Sequence, residues 1–131
     1  MDEKTISVYD RDAEVIAKRH ESKTPERLYD LCKTFFKRGG PTLDLGCGIG
    51  RDTFWLASNG FQAEGMDASQ GMLDIAQKKY PKLGFKRVSL PEIGIEDAYE
   101  NIFCCAVLMH IQRSQLDSSV ISLLKARLIK L

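Results

Sequence analysis

Leu43-Asp44-Leu45-Gly46-Cys47-Gly48-Ile49-Gly50 places three glycines at alternate positions directly after a short apolar run that begins at Pro41. Pro41 to Leu45 reads as a strand, and Arg51 to Ser58 reads as a helix stopped by Asn59-Gly60. Residues without a Cβ let the chain turn sharply between the two and let a ligand come close to the backbone amides. A plain tight turn would need fewer glycines. Two nucleotide-binding patterns fail on this stretch. The dinucleotide fingerprint G-x-G-x-x-G requires its third glycine where Arg51 stands, and the GK[ST] of the phosphate-binding loop is absent.

Outward from the loop, Phe61 to Met66 reads as a second strand ending at Asp67, seventeen residues after Gly50. Ser69 is placed to cap a helix carrying Met72, Leu73, Ala76 and Tyr80, which Pro81 ends. Gly84 to Val88 reads as a third strand. Ile102 to Leu108 (IFCCAVL) is apolar throughout, as expected of a strand covered on both faces. A capping box at Ser114-Gln115-Leu116-Asp117 signals a closing helix with Leu116, Val120, Leu124 and Leu128 along one side.

Upstream, residues 5–19 put Ile6, Tyr9, Ala13, Ile16 and Ala17 on one helix face. A clearer helix follows, with Thr24 as cap, Pro25 at its first position and Leu28, Leu31, Cys32, Phe35 and Phe36 as its apolar stripe. Lys37-Arg38 fall in its last turn, and Gly39-Gly40 end it. This order of elements predicts an α/β fold with a parallel sheet and right-handed crossovers. Ligands of such sheets bind beyond the carboxyl ends of the strands. Asp67 stands at such an end; by itself an Asp before a helix reads as a cap or turn residue, but seventeen residues after the glycine loop its carboxylate can accept hydrogen bonds from both hydroxyls of a ribose.

The 131 residues are expected to form a single domain, with 44% hydrophobic and 28% charged residues. Nineteen Lys+Arg against eighteen Asp+Glu leave a net charge of +1, which gives no general pull toward nucleic acid or an anionic membrane. Neither a membrane span nor a secretory leader is expected, because no apolar run nears ~18 residues and residues 1–20 carry charge throughout. Cys32, Cys47, Cys104 and Cys105 form no CxxC pair and have no histidines at zinc spacing. No metal is expected, and the thiols fit a reducing, cytoplasmic compartment.

The loop resembles the first motif of class I S-adenosylmethionine-dependent methyltransferases, (L/V)LD(L/V)GCG(x)G, whose last eight positions Leu43 to Gly50 match without a gap. Asp67-Ala68-Ser69-Gln70-Gly71-Met72-Leu73 resembles the family's D-x-S-x-x-M-L continuation, and the segment Tyr99 to Ile111 resembles its fourth motif, with Glu100 in place of the usual Asp. Tyr9-Asp10-Arg11-Asp12-Ala13 resembles the Y-D-x-x-A segment of small-molecule methyltransferases, where the tyrosine belongs to a lid.

The resemblance implies a Rossmann-like, three-layer α/β/α fold with a mostly parallel sheet. It implies one S-adenosylmethionine-binding domain over 1–131, with N-terminal lid helices in 1–40 and the core in 41–131. It also implies that S-adenosyl-L-methionine is bound by Tyr9, Asp44, Gly46, Cys47, Gly48, Gly50, Arg51, Asp67, Ala68, Ser69, Met72, Ser89, Leu90, Cys105 and Ala106, and leaves as S-adenosyl-L-homocysteine. Ser89 stands where the family often has an Asp or Asn facing adenine. Met72 can equally be helix core, Cys105 a small packing residue, and His110 either a general base or a structural tie. The family's Pro-Gly-Gly turn and strands 5–7 have no counterpart after Leu123-Leu124-Lys125, so the expected strand order is 3-2-1-4 with the fourth strand as a bare edge. An apolar edge of this kind favours association, here into a homodimer. The leading functional expectation is methyl transfer to a small-molecule acceptor; the alternative is a cofactor-binding or interaction protein without turnover.

Overall fold

The computed structural model describes residues 2–21, 25–91, 94–96, 98–105 and 112–127. The chain opens with α1 (Glu3–Arg11), α2 (Ala13–Glu21) and α3 (Glu26–Phe35). It then runs β1 (Pro41–Leu45), α4 (Arg51–Ser58), β2 (Gln62–Asp67), α5 (Gln70–Lys79), β3 (Gly84–Arg87), β4 (Asn101–Cys104) and α6 (Leu116–Ala126). The four strands form one sheet in the order β3-β2-β1-β4, and every pairing is parallel. Both β1 neighbours are strands and both its faces are covered, so Thr42, Leu43, Asp44 and Leu45 are all buried.

The sheet separates two cores. On one face Leu43, Leu45 and Met66 pack with Leu90, Tyr99 and Ala126 of α6. On the other, Phe103 packs with Cys32 of α3 and with Leu56 and Phe61 at α4 and its exit. A third cluster lies beyond the carboxyl ends of the strands, where Ala13 and Ala17 of α2 meet Ile49 of the glycine loop and Met72 of α5. Asn101 joins the layers, because its carboxamide accepts from Lys37 N at 2.8 Å and donates to Lys37 O at 2.9 Å and to Thr42 Oγ1 at 3.1 Å. That closes the backbone at the end of α3 onto the start of β1.

Several local expectations differ from the structure. The segment 5–19 is two helices broken at Asp12, and α1 is capped by Asp2, which accepts from Lys4 N and Thr5 N. Within the segment 1–40 expected to act as a lid, only α1 and α2 pack over the loop, whereas α3 belongs to the layer that covers the sheet. Pro25 is the cap of α3, and Thr24 lies outside the described residues. Phe35, 77% exposed, and Leu31, 45% exposed, leave the expected stripe, and the buried residues of α3 are Tyr29 and Cys32. Tyr29 stacks on Trp55 with ring centroids 4.0 Å apart and donates its hydroxyl to Asp52 of α4.

At the other end, β4 is assigned to Asn101–Cys104, and residues 106–111, which include Ala106 and His110, lie outside the described set. The capping box before α6 does not form. Gln115 is the cap and makes no side-chain bond there, because Arg113–Gln115 adopts a 3₁₀ turn that leads into the helix. α6 buries Ser119 and Ala126, while Val120, Ile121 and Leu124 stay exposed. Ser119 tolerates burial because its hydroxyl donates to Gln115 O at 2.8 Å.

Candidate cofactor site

The loop after β1 is tied to the end of β2 before any side chain contributes. Gly46 N and Cys47 N both donate to Met66 O, at 2.7 and 3.0 Å. Gly46, Gly48 and Gly50 have φ of 74°, 54° and 84°, a backbone region that side chains rarely enter, so the alternate glycines are required by the turn. Cys47 is buried, and its Sγ occupies the space over Gly65, where a Cβ would lie 2.8 Å from that sulfur. Desolvation raises the Cys47 thiol pKa, as it raises that of Cys105 at the end of β4. Both are packing thiols.

Asp67 joins the loop to the next helix. Its Oδ2 accepts from Gly48 N at 2.8 Å and its Oδ1 accepts from Ser69 N at 2.9 Å. A carboxylate offers about four acceptor directions, so hydroxyls can still bond to it. Burial raises the Asp67 pKa, opposed by the amides of Ser69 and Gly48. Ser69 then caps α5, accepting from Met72 N at 3.2 Å. Ala68 is buried, with its carbonyl accepting from Arg87 Nε at 3.2 Å. The loop, Asp67, Ala68, Ser69 and the start of α5 therefore form one hydrogen-bonded rim.

The other expected residues lie around this rim in different settings. Tyr9 is half-buried against the cluster of Ile49 and Met72, and Met72 is 1% exposed, a core side chain. Arg51, the first residue of α4, pairs with Asp52 at 3.0 Å. Ser89 is exposed and follows Val88, whose N donates to Asp67 O at 2.9 Å. Leu90 is buried in the α6-side core, and Cys105 packs with the α3-side cluster. Among the described residues no group of His, Cys, Asp and Glu could hold a metal ion. Thr53, Asp52 and Asp10 complete the surroundings; Asp10 lies in the Y-D-x-x-A segment, but its bond to Ser69, the Thr53–Asp44 bond and the Tyr29–Asp52 bond join residues nine or more positions apart and left no local signal.

Asp44 lies beneath the loop, fully buried, with Thr53 Oγ1 donating to its Oδ2 at 2.7 Å. Desolvation pushes its carboxyl up from 3.8 to about 7, opposed by the Thr53 bond. The folded chain therefore keeps a proton that the unfolded chain has released, and this group's contribution is full below its unfolded value and lost as pH rises through about 7. Asp44→Asn should gain stability relative to the native chain between about pH 4.5 and 7.5. Melting temperatures of the two proteins at both pH values check this, and a constant difference would refute it.

Residues 42–126 match the family model described as methyltransferase domain, which is more than half of the chain. The chain belongs to the class I S-adenosylmethionine-dependent methyltransferase family. Over 77 residues this methyltransferase domain is 30% identical to the ubiquinone biosynthesis O-methyltransferase of Rickettsia typhi, a match covering 56% of the chain and 31% of that relative. The chain thus spans about a third of the curated relatives it matches. Its fold is similar to a TehB-like SAM-dependent methyltransferase from Corynebacterium glutamicum, with a TM-score of 0.74 and 21% identity over 89% of this chain and 67% of that one. It is also similar to phosphoethanolamine N-methyltransferase 2 of Haemonchus contortus, solved in complex with S-adenosyl-L-methionine. There the TM-score is 0.68, with 24% identity over 78% of this chain and 25% of that one. The strand order 3-2-1-4 and the layered α/β/α architecture agree with membership of this family.

Proposed function

We propose that this methyltransferase domain binds S-adenosyl-L-methionine over the Gly46–Gly50 loop and directs its methyl group to a small-molecule acceptor, with S-adenosyl-L-homocysteine as the product. The observation that carries the reading is the Asp67 carboxylate, which bonds to Gly48 N at 2.8 Å and so joins the two most specific motifs into one rim. The name of the Rickettsia typhi relative supports a small organic acceptor.

The bound cofactor supplies an activated methyl group on a sulfonium, so the protein's work is proximity, alignment and water exclusion. Asp67 would accept from the ribose hydroxyls, as an anion suited to two donors. Gly46, Cys47, Gly48, Gly50 and Arg51 would line the methionine side, with Asp44 below them. Ala68, Ser69, Met72, Ser89 and Leu90 are assigned to the adenine side. Cys105 and Ala106 are assigned to the sulfonium end, and Tyr9 with α1 and α2 would exclude water as a lid over a core in 41–131. His110 is the candidate for taking the acceptor's proton.

The reading also includes a cytoplasmic location, which the free thiols of Cys32, Cys47, Cys104 and Cys105 support. No helix among the described residues is long and apolar enough to cross a membrane.

Calorimetric titration with S-adenosylhomocysteine, followed by a screen of small-molecule acceptors for methylated product, tests the function. Saturable binding and turnover are expected. Absence of binding refutes the site, and binding without turnover refutes the enzymatic reading.

The same reading includes a second copy of the chain. β4 ends the sheet among the described residues, and Val120, Ile121 and Leu124 of α6 leave apolar surface uncovered. A homodimer through the β4 edge is the expected result of light scattering at micromolar concentration, and monomer alone would overturn it.

A further inference from the structure

α1 buries none of its side chains fully and reaches the Ile49–Met72 cluster through the half-buried Tyr9, so a hydrophobic core alone does not explain why it rests over the loop. Its directional attachment is polar. Asp10, one residue before the end of α1, uses a single carboxylate oxygen twice: Oδ1 accepts from Ser69 Oγ at 2.6 Å and from Gly71 N at 3.0 Å. The same Ser69 donates its own amide to Asp67 Oδ1 at 2.9 Å. A continuous chain of contacts therefore runs from α1 through Ser69 to the carboxylate at the end of β2.

The opposite side of this seam is equally close. A Cβ on Gly71 would lie 3.0 Å from the Asp10 carbonyl oxygen, 3.2 Å from its Cα and 3.3 Å from the Ala13 Cβ. Gly71 thus permits the corner between α1 and α2 to sit directly on the first turn of α5. The arrangement also brings Ala13 and Ala17 into contact with Ile49 and Met72.

We propose that Asp10 is the positioning residue that docks the N-terminal helix pair onto the first turn of α5, and that through Ser69 this contact sets how long the cofactor stays bound at Asp67. The docking half stands on the contacts alone; the retention half rests on the cofactor site proposed above. Asp10 acts chiefly as an acceptor for these two donors, while the nearby Arg87 charge adds to what favours its ionised form. Both donors reach one oxygen, which an asparagine carbonyl can replace.

Three variants test this: Asp10→Ala, Asp10→Asn and Gly71→Ala. Each is followed by hydrogen exchange of the free protein and by stopped-flow dissociation of S-adenosylhomocysteine. Asp10→Ala should raise exchange across residues 3–11 and the cofactor dissociation rate about tenfold, with exchange in β1 and β2 unchanged. Asp10→Asn should stay within about twofold of the native chain on both readouts. Gly71→Ala should open α1 as Asp10→Ala does, even though alanine favours the α5 helix. Native exchange rates in α1 of Asp10→Ala would overturn the docking. Equal opening by Asp10→Asn would overturn the acceptor role. Unchanged dissociation in a binding-competent Asp10→Ala would overturn the retention. If the native chain binds no S-adenosylhomocysteine, the cofactor reading falls, taking retention with it, and exchange alone decides the docking.

Discussion

Asp67→Ala is expected to weaken S-adenosylhomocysteine binding by about a hundredfold or more. Hydrogen bonds to a charged group are worth about 1.5–3 kcal/mol each, and two lost from a ribose come to at least about 3 kcal/mol, or two decades in affinity. The carboxylate also anchors the site. It accepts from Gly48 N and Ser69 N, so its removal frees both the loop and the entry to α5. Asp67→Asn should recover little, because its NH2 would face one of these donating amides. Calorimetric titration gives the affinities, and thermal melts separate lost binding from lost fold. An unchanged dissociation constant in Asp67→Ala would refute the ribose assignment.

Gly50→Ala is expected to reduce stability by about 2–5 kcal/mol, from two causes. The residue has φ +84°, where a side chain costs about 1–2 kcal/mol. Its Cβ would also lie 2.8 Å from Phe85 Cζ and 3.1 Å from Tyr80 Cδ2, and overpacking costs about 1–3 kcal/mol. Both rings are also engaged elsewhere, Tyr80 stacked on Phe54 with centroids 4.8 Å apart and Phe85 against Gly65. Gly60 is the control, with φ +90° and nothing within 4 Å of its Cβ position. Gly60→Ala should cost only the backbone part, about 1–2 kcal/mol. Chemical denaturation of both variants measures the difference, and equal losses would remove the collision from the account.

Much of the site was legible because its parts are local. The turn from Leu45 to Arg51 needs glycines at fixed offsets, and the strand–loop–helix–strand order places Asp67 opposite that turn whatever the distant packing. The strand order 3-2-1-4, expected from the resemblance, is the order observed. What remained hidden depends on partners far along the chain. Tyr29 falls outside the apolar stripe read for its helix, but it is buried against Trp55 and bonded to Asp52. Asn101 bonds to Lys37 and Thr42, and Asp10 bonds to Ser69, across 59 residues or more.

α6 shows the same division from the other side. Spacing put Leu116, Val120, Leu124 and Leu128 along one side; Leu128 lies outside the described residues, and the helix buries Ser119 and Ala126 while leaving Leu124 59% exposed. A helical period says which residues share a face, but not which face the sheet has room for. The amino-acid order by itself determined the glycine turn, the acid at the end of β2 and the α/β class, because bond geometry and hydrophobic period act between near neighbours. Tertiary structure alone decided which helix faces are buried and which distant groups complete the rim. Those choices depend on the shape left between elements, and it exists only once they pack.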